Sequence, residues 1–328
     1  MSELDLSIIV PIYNTEKYLK RCVMSLLELE GLNYEILLIN DGSLDGSEGI
    51  CKELEANNSK IHYYYQINQG VSVARNNGIA HASGKYITFV DSDEYWLKVN
   101  SDSIIKAVKT DSDLIYCTGY YREDERHRVQ VNRDHIKIEG SIFNSIVKET
   151  FKGGWANWLY FFKSDIIKQH YLSYRTGIRV AEDAEFFFSF CKFVSTISFI
   201  ENPYYVYLVE RNQSAMNSGR GKALMSFFEL LTYRLQEEKD EMDVAINRIL
   251  VSNFHGWLQY SYLIEKKHRS IICDFLNENH LERYLDEKSY DYKFILRNGY
   301  KIFIKKQYAY GYLKAAKNEI KKWVFGKN

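Results

Sequence analysis

Apolar residues come in short β-branched runs, each followed by a polar turn and then a stripe at helical spacing. Leu6-Ser7-Ile8-Ile9-Val10 reads as a buried parallel strand, with Pro11 expected to end its ladder. Asn14 stands as the expected N-cap of a helix carrying Tyr18, Leu19, Cys22, Leu26 and Leu27. Residues 34–39 predict a second strand, closed by Asn40-Asp41-Gly42-Ser43. Asp45 with Glu48 has the spacing of a capping box for a helix reaching about residue 56. Residues 61–65 and 86–90 predict strands three and four, with a helix over 70–81 between them. Strands alternating with helices of this length predict the α/β class, a mainly parallel twisted sheet with right-handed crossovers.

From residue 101 the pattern is mixed. It predicts a strand at 114–117, a charged loop or hairpin at 120–134, a helix over 143–151 and an aromatic-rich stretch at 155–162. Glu182-Asp183 opens a helical run with Phe186, Phe187 and Phe190. Beyond about residue 214 long amphipathic helices are expected, over 223–238 and 244–265. Gly219-Arg220-Gly221 marks the expected boundary, dividing an α/β domain at 1–218 from an α-helical C-terminal region at 219–328.

Composition narrows the function classes. Lys and Arg number 43 and Asp and Glu 43, so no global charge argues for nucleic acid. Five scattered cysteines, without a C-x-x-C pair, speak against a disulfide framework or zinc site and fit a reducing compartment. No signal peptide is read in Met1–Asp5, and no run reaches the roughly 18 apolar residues of a membrane span. The expectation is a cytoplasmic location, either free or on the inner face of the plasma membrane. The 27 tyrosines suit surfaces that stack on sugars, and equally a Tyr-rich core.

Candidate chemistry gathers at strand ends, where open α/β sheets bind ligands. Asn14, Asp41 and Asp91-Ser92-Asp93 all fall there. Two carboxylates one residue apart in a bend can share a hard divalent cation, which takes one or two carboxylates plus substrate phosphates. Asp41 can accept a hydrogen bond from a base or ribose, or can serve only its turn. Arg75 offers a bidentate fork for a diphosphate, or pairs with a carboxylate.

Four segments are similar, in order and spacing, to family 2 glycosyltransferases. They are Ser7-Ile8-Ile9-Val10-Pro11-Ile12-Tyr13-Asn14, Asn40-Asp41-Gly42-Ser43-Leu44-Asp45-Gly46-Ser47, Asn68 through Gly78, and Phe89-Val90-Asp91-Ser92-Asp93-Glu94. The resemblance is strong over the first hundred residues and thinner to about residue 214. It implies the GT-A fold (a Rossmann-like nucleotide-diphospho-sugar transferase domain), Mn²⁺ or Mg²⁺, and transfer with inversion from a nucleotide-diphosphate sugar, with UDP expected. Residues 1–100 become the nucleotide-sugar half and 101–218 the acceptor half.

The resemblance also implies roles. Pro11, Tyr13 and Asn14 line the base pocket, with plain core packing as the rival reading of Tyr13. Asp93 coordinates metal, Asp91 binds ribose or an ion-bound water, Ser92 stands between them, and Glu94 occupies the place of a third Asp. Asp183 is the general base, against the local alternative of complementing a helix dipole. Glu182 meets acceptor hydroxyls. Trp155 and Trp158 form an acceptor platform or core. Arg211, after Tyr207, closes over the diphosphate. No Gln-x-x-Arg-Trp motif is present, so non-processive transfer to a glycan or lipid-linked acceptor is expected.

Two rivals are weighed. A sugar nucleotidyltransferase wants a Gly-rich loop after strand one, where this chain has Pro11-Ile12-Tyr13-Asn14; a catalytically inactive scaffold would have lost Asp93 or Asp183. Lysines interleave with aromatics from Lys301 to Phe325. That segment suits a peripheral membrane contact, a docked helix or a homodimer contact.

Overall fold

The computed structural model describes the chain apart from residues 1–3, 98–100, 125, 133–135, 137, 139–140, 151–155, 179, 210–219, 286, 288 and 326–328, and the side chains at 147–150, 292, 312 and 316–325. The chain divides into two compact units, Met1–Arg211 and Asn212–Asn328.

The first unit begins β1 (Leu6–Ile12), α1 (Glu16–Leu26), β2 (Tyr34–Asp41), α2 (Ser47–Asn57), β3 (Ile61–Gln66), α3 (Val71–His81) and β4 (Tyr86–Phe89). β1, β2 and β4 are buried along their whole length, which is why they read as unbroken apolar runs. There follow β5 (Tyr95–Trp96), α4 (Ser101–Lys109), β6 (Leu114–Cys117), β7 (Gly119–Glu123), β8 (Arg128–Asn132), α5 (Ile142–Thr150), β9 (Tyr160–Lys163), α6 (Ser164–Gln169), α7 (Glu182–Cys191), β10 (Ile197–Ile200) and β11 (Tyr205–Leu208). Seven strands make one sheet in the order β3-β2-β1-β4-β9-β6-β10, and β5-β11-β7-β8 make a second.

In the large sheet every neighbouring pair is parallel except those of β9, antiparallel to both β4 and β6. Its Tyr-Phe-Phe run is buried like a parallel strand, so its direction left no mark in the sequence. The charged stretch after residue 119 forms the β7–β8 hairpin. The strand order reverses at β1, with β2 on one side and β4 on the other, which makes the crevice beyond their carboxyl ends the binding position for such a sheet.

Three local expectations are corrected. Pro11 does not end β1, since Pro11 and Ile12 still register with Ile39 and Asn40 of β2. Ile9 faces β4, accepting the Val90 N–H at 3.0 Å, so the missing N–H of Pro11 falls on that same side, past the end of the β4 ladder. The α1 N-cap is Thr15 rather than Asn14, which adopts left-handed backbone at φ 53°. The supposed Asp45–Glu48 box is also absent. Asp45 instead accepts from the Glu16 and Ser47 amides, each at 3.0 Å, and so serves both helix starts; Glu48 pairs with Lys52 at 2.6 Å.

The second unit holds α8 (Arg220–Gln236), α9 (Glu241–Trp257), α10 (Lys266–Glu278) and α11 (Tyr290–Phe325), the last broken at Gly299 with φ 72°. Asp240 caps α9, accepting the Asp243 amide at 2.8 Å, and Asp243 receives Arg234 of α8 in a buried ion pair at 2.8 Å. The helix expected over 244–265 ends at Trp257 and continues as 3-10 turns through Leu258–Leu263. α11 crosses this segment so closely that a Cβ at Gly311 would stand 1.7 Å from the Gln259 carbonyl oxygen. Gly221, expected at a boundary, lies buried inside α8. Among the described residues no helix is long and apolar enough to cross a membrane.

Candidate active site

The loops after β1 and β2 are tied together before any ligand is considered. The Asn14 amide donates to Ser43 Oγ at 3.1 Å, and Asn14 Oδ1 accepts the Leu44 amide at 2.8 Å. Thr15 Oγ1 reaches Ser92 Oγ at 3.0 Å, which joins the β1 loop to the turn after β4. Three strand ends thus form one fixed rim. Beside them Tyr13 is 47% exposed, which removes the core-packing reading of its ring, while Pro11 is buried within β1.

Asp41 is engaged on both oxygens. Gln66 Nε2 and the Gln69 amide donate to Oδ1, and the Gly70 amide donates to Oδ2, all at 2.8 Å. This carboxylate fixes the approach to α3, a structural task that turn chemistry alone did not specify.

α3 carries the run Ala74-Arg75-Asn76-Asn77-Gly78, and each member from Arg75 has a distinct partner. Arg75 is 5% exposed; its Nη1 donates to Glu182 Oε1 at 2.9 Å and its Nη2 to Asp91 Oδ1 at 3.4 Å. Its guanidinium also lies over the Tyr174 ring, 5.2 Å from the centroid. Asn76 holds Tyr174 by its backbone, accepting the amide at 2.7 Å and donating to the carbonyl at 2.8 Å. Asn77 Nδ2 donates to Gln66 Oε1 at 2.8 Å, extending the brace on Asp41. Gly78 has no room for a side chain, since a Cβ would meet Ile9 Cγ2 at 2.4 Å.

At the end of β4 the acids separate into two environments. Asp91 keeps 34% of its side chain exposed and Asp93 is also partly exposed, whereas Ser92 and Glu94 are buried. The Asp91 amide donates to the Tyr205 hydroxyl at 3.2 Å, and that hydroxyl also bonds the Glu94 carboxyl. Burial first, and the Asp91 charge second, push Glu94 well above the usual carboxylate range. Glu94 Oε2 is buried without a hydrogen-bond partner, so the side chain belongs to the interior rather than to the open end of the turn. Asp91 and Asp93 offer carboxylate oxygens of the kind that hard divalent ions take. Among the described residues no group of three metal-binding side chains forms a complete cage.

Glu182 and Asp183 open α7 directly after Ala181, a non-glycine residue in left-handed backbone at φ 65°. Phe186, Phe187 and Phe190 hold this helix in the core against Phe162, Tyr160 and Phe162 again, at 5.4, 4.4 and 5.0 Å between ring centroids. Asp183 retains some surface in a dense setting. Burial and the Glu182 charge raise its pKa to about 7, against the opposing pull of Arg75 and of the Ala184 amide bond at 2.8 Å. Burial also opposes the charge on Arg75, but Tyr174, Glu182, Asp91 and Asp183 outweigh it and hold the guanidinium protonated.

Arg75 therefore brings together the Asp91 and Glu182 segments, which lie far apart in sequence. Trp158 is packed nearby, 9% exposed, one indole face parallel to Tyr205 at 4.3 Å and its edge region meeting Tyr120 at 5.0 Å. Its location favours the core reading. Trp155 and Arg211 lie outside the described residues. Tyr174 and Tyr205 went unnoticed in the sequence. Asn76, inside a conspicuous motif, was the only signal pointing to the first, and nothing local marked the second.

Comparison with known proteins fits this arrangement. EpsJ of Bacillus subtilis (strain 168), an uncharacterized glycosyltransferase, is 32% identical over 208 residues, covering 61% of this chain and 60% of that protein. EpsH of the same strain is 29% identical over 255 residues, 73% of each chain. The chain therefore spans 60% of EpsJ's length and 73% of EpsH's. The crystal structure of S. aureus TarS 1-349 in complex with UDP-GlcNAc superposes with a TM-score of 0.71 at 17% identity, covering 94% of this chain and 91% of that one, and so shows the GT-A fold. The model of Glycosyl transferase family 2 matches residues 7–173, half of the 328-residue chain and the part that carries the rim, α3 and the β4 turn, and the chain belongs to that family.

Proposed function

We propose that this chain transfers a sugar from a nucleotide-diphosphate donor to a hydroxyl of a glycan or lipid-linked acceptor, with inversion and without processivity. The observation that carries the reading is the Arg75 bridge, 3.4 Å to Asp91 and 2.9 Å to Glu182, which puts a strand-end acid pair and a raised-pKa Asp183 into one network. A donor lies across the β1, β2 and β4 ends, with Tyr13 exposed for stacking on a base and Asn14 and Ser92 fixing the rim. UDP is the nucleotide of choice, supported by the ligand of the TarS structure. Pro11 and Asp41 shape the base pocket from behind.

Asp93 and Asp91 would hold Mn²⁺ or Mg²⁺, which when bound neutralises charge on the departing diphosphate. Asp183 takes the proton of the acceptor hydroxyl as its oxygen forms the new bond to the anomeric carbon. The bond from that carbon to the phosphate oxygen breaks on the opposite face, and the nucleoside diphosphate departs with the electron pair. A carboxyl group held near 7 is matched to this task at neutral pH. Glu182, fixed by Arg75, stands beside Asp183 to meet acceptor hydroxyls. Arg211 is assigned to the diphosphate and Trp155 to the acceptor by sequence position alone.

The test is a panel of nucleotide sugars with Mn²⁺, with and without EDTA, following release of nucleoside diphosphate. EDTA-sensitive release from one donor is expected. The absence of both nucleoside diphosphate release and metal-dependent donor binding across the panel would overturn the proposal.

A further inference from the structure

The helical unit contains a second chemically distinctive place, independent of the transferase reading. α10 and α11 enclose a cleft of about 390 Å³ whose lining includes Lys266, Arg269, Lys301 and Lys305, with a single carboxylate, Asp274. Its floor is apolar, formed by Cys273 and Ile304, 9% and 5% exposed. Four cations stand against one acid there, a charge imbalance that a bound anion would offset. Lys301 and Lys305 are four residues apart on one helix and Lys266 and Arg269 three apart on another, spacings at which like charges destabilise a helix. Among the described residues none of the three lysines has an ion-pair partner, although Lys267 next door pairs with Glu265 at 2.9 Å.

Arg269 is pre-set. Its Nη1 donates to the Ser261 carbonyl at 3.1 Å and to the Ile264 carbonyl, and its guanidinium lies over the Tyr308 ring, 4.8 Å from the centroid. Two carbonyls and a ring fix the plane of the fork, and the Nε and Nη2 donors remain for another acceptor. A fixed planar fork flanked by exposed ammonium groups is the donor set that phosphate oxygens match. Asp274, with Ser270 Oγ at 3.5 Å, supplies an acceptor for a hydroxyl on the same ligand. The apolar floor accommodates a hydrocarbon portion.

We propose that this cleft binds a phosphate-bearing anion, whose chemistry is shared by a phospholipid headgroup and a free phosphate or diphosphate. The experiment uses the full chain and two probes. Calorimetry with inorganic phosphate and pyrophosphate reads the free anion; co-sedimentation with phosphatidylglycerol–phosphatidylcholine vesicles, against phosphatidylcholine alone, reads the headgroup. The variant pair is Lys301→Gln with Lys305→Gln, both exposed, and the control pair is Lys267→Gln with Lys314→Gln, outside the cleft.

The expected result is binding of one or both probes, weakened about 25-fold in the cleft pair and much less in the control pair, at roughly fivefold per cation removed. Loss confined to vesicles assigns a headgroup, and loss with inorganic phosphate assigns a free anion; either supports the cleft. Equal weakening in the two pairs would overturn it, as would the absence of binding to both probes. Arg269→Lys adds a check on geometry, because it keeps the charge and removes the fork. Unchanged binding in that variant would contradict the bidentate site.

Discussion

Asp183 is the residue on which charge, burial and chemistry meet. Asp183→Asn should lower transfer by about 10²–10⁴-fold, the usual contribution of a positioned general base, in a single-turnover assay with saturating donor. The same substitution should stabilise the fold. Because the folded pKa is raised from 3.8 to about 7, the native carboxyl resists ionisation; its stabilising contribution is complete below about 3.8 and lost as pH rises through 7. Thermal melts at pH 8 should therefore show Asp183→Asn above the wild type, by up to about 4 kcal/mol for a pKa raised from 3.8 to about 7, and at pH 4 show little difference. A lower melting temperature at pH 8 would contradict the assigned environment.

The pH profile gives a signed companion test. The acid limb of kcat/KM should lie above the ordinary carboxylate range, since the base must be ionised. Glu182 raises the Asp183 pKa, so Glu182→Gln should move that limb to lower pH. An unmoved limb would show that another group is titrating. At this scale the sequence points to candidate residues but not to their partners. Arg75 was legible as a cation near the site, but its two acids come from β4 and α7, a pairing only the folded chain creates. Asp41 illustrates the converse, as a turn acid whose oxygens are taken by amides 28 and 29 residues away.

Among elements, the alternating β and α segments of the first hundred residues were readable because buried parallel strands announce themselves as apolar runs. The four-stranded sheet was not. β5 has two residues and β11 four, and their pairing depends on tertiary placement. Yet β11 supplies Tyr205, whose hydroxyl accepts the Asp91 amide and bonds Glu94. Tyr205→Phe removes that oxygen while keeping the ring stacked on Trp158. It should cost about 1–3 kcal/mol of stability, by leaving the Asp91 amide and the Glu94 carboxyl without this partner. It should also raise the donor KM more than it lowers kcat. A variant with unchanged melting temperature and donor KM would show that the hydroxyl does not position the β4 turn.

For the whole molecule, the family match covers residues 7–173 of the first unit and ends before Tyr174, Glu182, Asp183 and Tyr205, so it does not reach the second unit. In the proposed division of labour, the acids after β4 would hold donor and metal while Asp183 would take the acceptor proton. Calorimetric titration of a UDP-sugar into the full chain, with Mn²⁺ or with EDTA, tests that division without needing to know the acceptor. Wild-type binding should require Mn²⁺. Asp93→Asn should weaken it by about tenfold or more, and Asp183→Asn should leave it within about threefold while lowering transfer by about 10²–10⁴-fold. Wild-type affinity in Asp93→Asn, or a loss in Asp183→Asn as large as that in Asp93→Asn, would contradict the account.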